Sequence, residues 1–265
     1  MYIITTTSKE VTKVASGKYI VNADDINSTG DVFVDLDDAA LYVIAPSGEW
    51  DVLGTLVAKS RVIVTRSFGD RPEPAGLNVL GDLLLGAPLL AAGVNVGKSL
   101  LTYPRETLDG NVLVRNLTVG KDVDLIGAGI SASGSVIIGG KVYVGGGLSG
   151  DSITSGGSMY VSGDVTARER LTVHSNLLSD GSVFAAGGIN VDGTIDIGGE
   201  LRSGIGIRAG ENIYAGEAIR AKFLCAGTNP FDDSPSGEIE SPVLDFPCRF
   251  QFRLDTTIIR KGGTE

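Results

Sequence analysis

Aromatic residues are scarce in this chain, and so is positive charge. Phe, Trp and Tyr make up 6% of the 265 residues, with a single Trp, so the core must be narrow and aliphatic rather than built on rings. The formal net charge of −10 removes the basic surface that general binding to nucleic acid or anionic membrane requires. The two cysteines, Cys225 and Cys248, lack CxxC spacing, and His174 is the only histidine, so no cysteine–histidine metal site is expected. Apolar runs stay well short of the ~20 residues of a spanning helix, which argues against membrane insertion. The opening MYIITTTSKEV carries no basic stretch followed by an apolar one, so the expected location is cytoplasmic. No cofactor is implied.

Glycine is plentiful at 38 residues while Pro stays at 9, which excludes collagen and Pro-rich linkers. The glycines punctuate a rhythm. In IRAGENIYAGEAIRAKFLCAG (207–227) an aliphatic residue recurs every six positions, at Ile207, Ile213 and Ile219. Each is followed two residues later by an alanine: Ala209, Ala215 and Ala221. The beat runs backward through Leu201, Ile195, Ile189, Val183, Leu177, Leu171, Val165 and Met159, with single-residue slips further upstream. It is audible again at Leu77, Leu83 and Leu89, and at Trp50, Leu56 and Val62.

Apolar residues at i and i+2 share one face of a short strand, and the Gly-rich remainder supplies a bend. Helical spacing is missing. A three-residue strand cannot bury its face alone, but it can when the chain coils and each strand stacks on its equivalent one turn later. The prediction is an all-β fold, a single-stranded triangular parallel β-solenoid (β-helix) with ~18 residues per coil. One inward column would be Val165, Val183, Leu201 and Ile219, with the small Ala167, Ala185, Ser203 and Ala221 beside it. The predicted layout is an N-terminal strand or cap over 1–19, a solenoid over 20–222, and a C-terminal cap or hairpin over 223–265. In that last segment CRFQFRL puts Phe250, Phe252 and Leu254 on one strand face.

Interruptions of the beat are where specific function is expected, because the coils themselves carry the fold. Insertions fall near 44–49, 66–76 and 102–110. The first two are three faces apart and should share a corner on successive coils; the third should leave from another. Phe68, Arg71, Tyr103, Arg105 and Glu106 bring aromatic and charged character to these loops, as protein contacts do. Outward positions stack as well: Thr166, Phe184, Arg202 and Arg220 on one side, and Tyr160, Leu178, Asp196 and Tyr214 on the next. Arg202, Tyr214 and Arg220 complete the candidate binding residues.

Motifs of known chemistry fail on their details. AGVNVGKS (92–99) imitates a phosphate-binding loop, but Ala92 stands where the first glycine is needed and a strand follows instead of a helix. Asp122/Asp124, Asp192/Asp196 and Asp232/Asp233 lack the glycine-rich nonapeptide of calcium-binding β-rolls. His174, in LTVHSN, falls at a bend with no Asp or Glu beside it in sequence, and it is read as a surface histidine.

From Val165 to Lys222 the chain resembles bactofilin-type, polymer-forming β-solenoids and bacterial proteins with tandem G-I-x-A-G repeats. That resemblance implies a scaffold that assembles end to end without nucleotide. In its period the chain is also similar to hexapeptide-repeat acyltransferases, which would cast His174 as a general base. The leading expectation is nevertheless a non-catalytic solenoid that binds another protein, in one version a bacterial inhibitor or immunity-type protein. Self-assembly is the second reading and acyl transfer the third.

Overall fold

The computed structural model describes residues 1–69, 72–103, 111–227, 238–245 and the strand 257–259. The described residues form an all-β, parallel β-solenoid, and the chain divides into two compact units, 1–139 and 140–265.

In the first unit three faces recur in strict order. The first face stacks Tyr2–Thr5, Val32–Asp35, Leu56–Ala58, Leu83–Leu85, Leu100–Thr102 and Val123–Leu125, all parallel. The second begins at Lys18–Asn22 and passes through Ala40–Ile44 and Arg61–Thr65 to Ile130–Ala132. The third begins at Glu49–Val52 and Gly76–Val79 and ends at Val136–Ile138. Two strands, Leu89–Val96 and Val112–Val119, belong to both the second and third faces because they run around the corner without a bend. The expected unit of three strand residues and three bend residues fails there. Two successive half-buried or exposed residues, such as Ala92 and Gly93, turn the alternation while the backbone ladder continues.

The inward side chains are those of the beat: Leu56, Val62, Leu77, Leu83, Leu89 and Leu100 are almost wholly buried. Burial of each such side chain contributes about 1.5–3 kcal/mol. Trp50 joins them, its indole Nε1 donating to Ser28 Oγ at 3.1 Å. The N-terminal end differs from a plain coil. Thr12–Ala15 pairs antiparallel with Lys18–Asn22, so a hairpin covers the start of the second face.

The second unit shows the predicted columns. Val165, Val183, Leu201 and Ile219 pair in register and are buried, and Ala167, Ala185 and Ser203 stack beside them. Small side chains suit this column because it lies against a corner; Ser203 Oγ donates to the Gly187 carbonyl at 2.6 Å, with the Gly206 carbonyl 2.9 Å away. Met159, Leu177, Ile195 and Ile213 form another inward column at steps near 18 residues. The single-residue slip in the sequence rhythm near Ile153 is a bulge, where Val165–Val173 carries one residue more than Leu148–Ser155.

Corners are held by polar side chains that accept from the next coil's backbone. Asp164 Oδ1 accepts from Ser182 N (2.7 Å), Asn176 Oδ1 from Thr194 N (2.9 Å) and Asn212 Oδ1 from Glu238 N (2.8 Å). Pairing does not stop at Lys222, where the rhythm places a cap. Phe223–Cys225 stacks on Gly206–Ala209, Glu238–Glu240 on Ile213–Ala215, and Val243–Asp245 on Ala218–Arg220, all parallel. Thr257–Ile259 then pairs parallel with Glu238–Glu240. The rhythm is lost because the chain between these strands lengthens, not because the stack ends. Cys248, Phe250, Phe252 and Leu254 lie outside the described residues.

Candidate functional site

In a solvated solenoid the middle residue of each apolar–x–apolar strand points outward and is expected to be polar. The first unit breaks this rule on two neighbouring faces. On the first face the outward residues are Ile3, Phe33, Val57, Leu84 and Leu101, paired one above the next and followed by Asp124. On the second they are Ile20, Tyr42, Ile63, Leu90 and Leu113, followed by Ser131. Each ladder of five is about 20 Å long at the ~4.8 Å spacing of stacked strands. Ile3 (48%), Leu90 (37%) and Leu113 (44%) keep substantial exposure. Leu53 and Leu80 add exposed side chains at the corner leading into the first face.

The third face of the same unit is polar from Asp51 through Asn78 and Asn95 to Thr118, and only its last outward residue, Ile137, is apolar. Asn78 Nδ2 donates to Asp51 Oδ1 (2.8 Å) and Glu49 Oε2 (3.1 Å), and Asn95 Nδ2 donates to Asn78 Oδ1 (2.7 Å). The contrast between faces shows that an apolar exterior is not general to the coil.

Two of the loop residues expected from the sequence land on these ladders. Phe68 meets Tyr42 edge to face, ring centroids 5.2 Å apart, on the second face. Tyr103 meets Phe33 edge to face at 6.4 Å on the first, and Lys59 Nζ lies 5.7 Å from the Phe33 ring. Lys59 is also 2.8 Å from Asp35 Oδ2, which holds its ammonium above the ordinary lysine value. The insertions near 44–49 and 66–76 do share a corner, since Ala45 N donates to Thr65 O and Gly76 N to Gly48 O, both at 2.7 Å. The third follows Thr102 on the first face and precedes Val112 on the second, and its residues 104–110 lie outside the described residues. Arg71, Arg105 and Glu106 lie outside the described residues.

The other candidates lie in the second unit. Arg202 stacks on Phe184 (5.7 Å), Arg220 Nη1 pairs with Glu200 Oε1 (3.0 Å), and Tyr214 Oη is 3.4 Å from Glu238 Oε2. Burial and the neighbouring Glu238 raise the Tyr214 phenol above its usual value. His174 does have an acidic neighbour, hidden one coil away: its Nδ1 is 2.9 Å from Asp192 Oδ2, and both side chains are more than half exposed. The pair is a solvated link between coils.

The ladders had a sequence signal that the beat of six ignores. LLL (83–85), LVA (56–58), LYV (41–43) and VLV (112–114) are unbroken apolar triplets, whereas IDI (195–197) alternates. Among the described residues no group of three or more His, Cys, Asp or Glu is placed to hold a metal ion. No helix among them is long and apolar enough to cross a membrane. No protein-family model, curated protein or solved structure matches the chain.

Proposed function

We propose that the chain is a non-catalytic, protein-binding β-solenoid whose first unit docks a partner against its two apolar outer faces. One observation carries this reading: ten outward apolar side chains in two registered ladders, on adjacent faces, beside a third face whose outward residues are polar from Asp51 to Thr118. Apolar patches of this continuity mark interaction surfaces, because exposing them to water is costly and promotes unwanted association. Phe68 and Tyr103 extend the ladders with the aromatic character common in interface cores. An acidic overall balance favours a protein over an anionic lipid surface as the partner. An inhibitor or immunity-type role is one form this binding takes.

End-to-end assembly of the bactofilin kind is less well supported. An antiparallel hairpin at the N-terminal end presents Thr12–Ala15 in the wrong direction for continued parallel stacking, and Lys9, Lys13 and Lys18 place charge there. Acyl transfer rests on His174 alone, whose Nδ1 lies 2.9 Å from Asp192 Oδ2 with both side chains more than half exposed and no described pocket beside them.

The test is affinity capture with three proteins: the wild type, a double variant Leu90→Glu/Leu113→Glu, and a control Asn95→Lys on the polar face. A partner retained by the wild type and the control but lost by the double variant supports the reading. Equal capture by all three refutes it.

A further inference from the structure

A different surface, in the second unit, has its own chemistry. At the bulge in Val165–Val173 the extra residue turns Arg170 outward beside Glu169, in register with Ser152 one coil earlier. On the next coil the same corner carries only Gly187 and Gly188; Gly187 N donates to Glu169 O at 2.6 Å. On the coil after that stands Ile205, 50% exposed, with its N donating to Gly187 O. The result is a cleft of about 370 Å³ over the Gly187–Gly188 backbone, with Ser152, Thr154, Glu169, Arg170 and Thr172 on the two earlier coils and Ile205 at the far end.

The walls are chemically distinct. The Arg170 guanidinium makes no hydrogen bond or ion pair among the described residues, while the neighbouring Glu169 carboxylate accepts from Ser152 Oγ at 2.9 Å. Arg168 is engaged with Asp151. Beyond Ile205, whose carbonyl accepts from Lys222 N, the Phe223 ring lies exposed over Gly206. Space is real at the centre: a Cβ built on Gly188 would meet nothing nearer than Gly206 O at 3.7 Å.

We propose that this cleft is a second recognition site, taking an extended segment of a partner protein that presents a carboxylate and, two residues on, an aliphatic side chain. The carboxylate answers the Arg170 guanidinium, whose planar fork suits carboxylate geometry. The aliphatic group covers Ile205 and Phe223, which otherwise face water. Residues two apart on one face of an extended chain are ~7 Å from each other, and the reach of the arginine bridges the rest of the two-rung span. The glycine floor lets the segment's backbone approach that of the coil. Glu169 in the wall repels a doubly charged anion such as phosphate more strongly than a single carboxylate, which leaves the carboxylate the better fit. This site and the apolar faces of the first unit share no residue, so each stands or falls alone.

The probe is the pentapeptide acetyl-Ser-Glu-Ser-Leu-Ser-amide, titrated into the full chain by NMR or calorimetry. Saturable binding is expected, weakened about tenfold by Arg170→Glu through loss of a charge-assisted contact. Gly188→Ala, whose Cβ meets nothing nearer than Gly206 O at 3.7 Å, narrows the cleft and should weaken binding as well while the melting temperature does not fall. A peptide with Lys in place of Glu should not bind, and inorganic phosphate should not compete. No saturable binding at millimolar peptide, equal affinity in both variants, or displacement by phosphate would each overturn the proposal.

Discussion

Leu90 lies directly over Leu113 on the outside of the first unit, paired in register across two parallel strands, and both remain more than a third exposed. Their inward neighbours Leu89 and Val112 are as buried as any residue in the core. One backbone step therefore separates a side chain that stabilises the fold from one that stands ready for a partner.

Replacing the outer pair should consequently leave the fold alone. Leu90→Glu/Leu113→Glu is expected to change unfolding free energy by no more than about 0.5 kcal/mol per site, as surface substitutions do. It should also reduce fluorescence of a bound hydrophobic dye. A melting point far below the wild type would mean these side chains are structural.

The inner columns should behave in the opposite way. Leu201→Ala removes a wholly buried side chain between Val183 and Ile219 and should cost about 2–5 kcal/mol in denaturant unfolding. Ala185→Leu, in the small column beside it at the tight end of the neighbouring strand Val183–Ala185, should cost about 1–3 kcal/mol by overpacking.

Two corner glycines in the second unit make a sharper comparison. A Cβ on Gly210 would sit 1.9 Å from Asp192 O, on the coil beneath it, whereas one on Gly188 meets only an ordinary contact, Gly206 O at 3.7 Å. Gly210→Ala must push two coils apart and should lower the melting temperature by several degrees. Gly188→Ala should be neutral or stabilising by about 0.4–1 kcal/mol, since it restricts the unfolded chain without straining the folded one. Equal effects of the two would show that stacking distance is not what selects glycine at corners.

Alkali should act on the N-terminal strand. Burial, then the hydrogen bond from the Tyr2 hydroxyl to Glu10, raises the Tyr2 pKa to about 12. A folded-state pKa above the unfolded value means that the contribution is fully present below pH ~10 and is lost as pH climbs through the folded value. Unfolding free energy of the wild type should therefore fall across that interval more than that of Tyr2→Phe. Absorbance titration should show one tyrosine, missing in the variant, ionising near the top of the range.

The period of six, the inward columns and the shared corner of the first two insertions were all legible in the residues. Val165, Val183, Leu201 and Ile219 could be aligned on paper because coil length there is constant and burial demands an aliphatic residue at each rung. The strands after Lys222 were not legible, because long connections between Cys225 and Glu238 and beyond Asp245 destroy the period while leaving the pairing intact.

Hydrophobic repetition at i and i+2 determined, without any coordinates, that this chain coils and which side chains fill it, because those choices are local and recur at a fixed step. Tertiary structure alone decided which residues from separate coils become neighbours. It joined His174 to Asp192, set Phe68 against Tyr42, and opened the cleft over Gly188. These outcomes depend on where coils of unequal length bring their surfaces into register, and registry is a property of the stacked backbone rather than of any one segment.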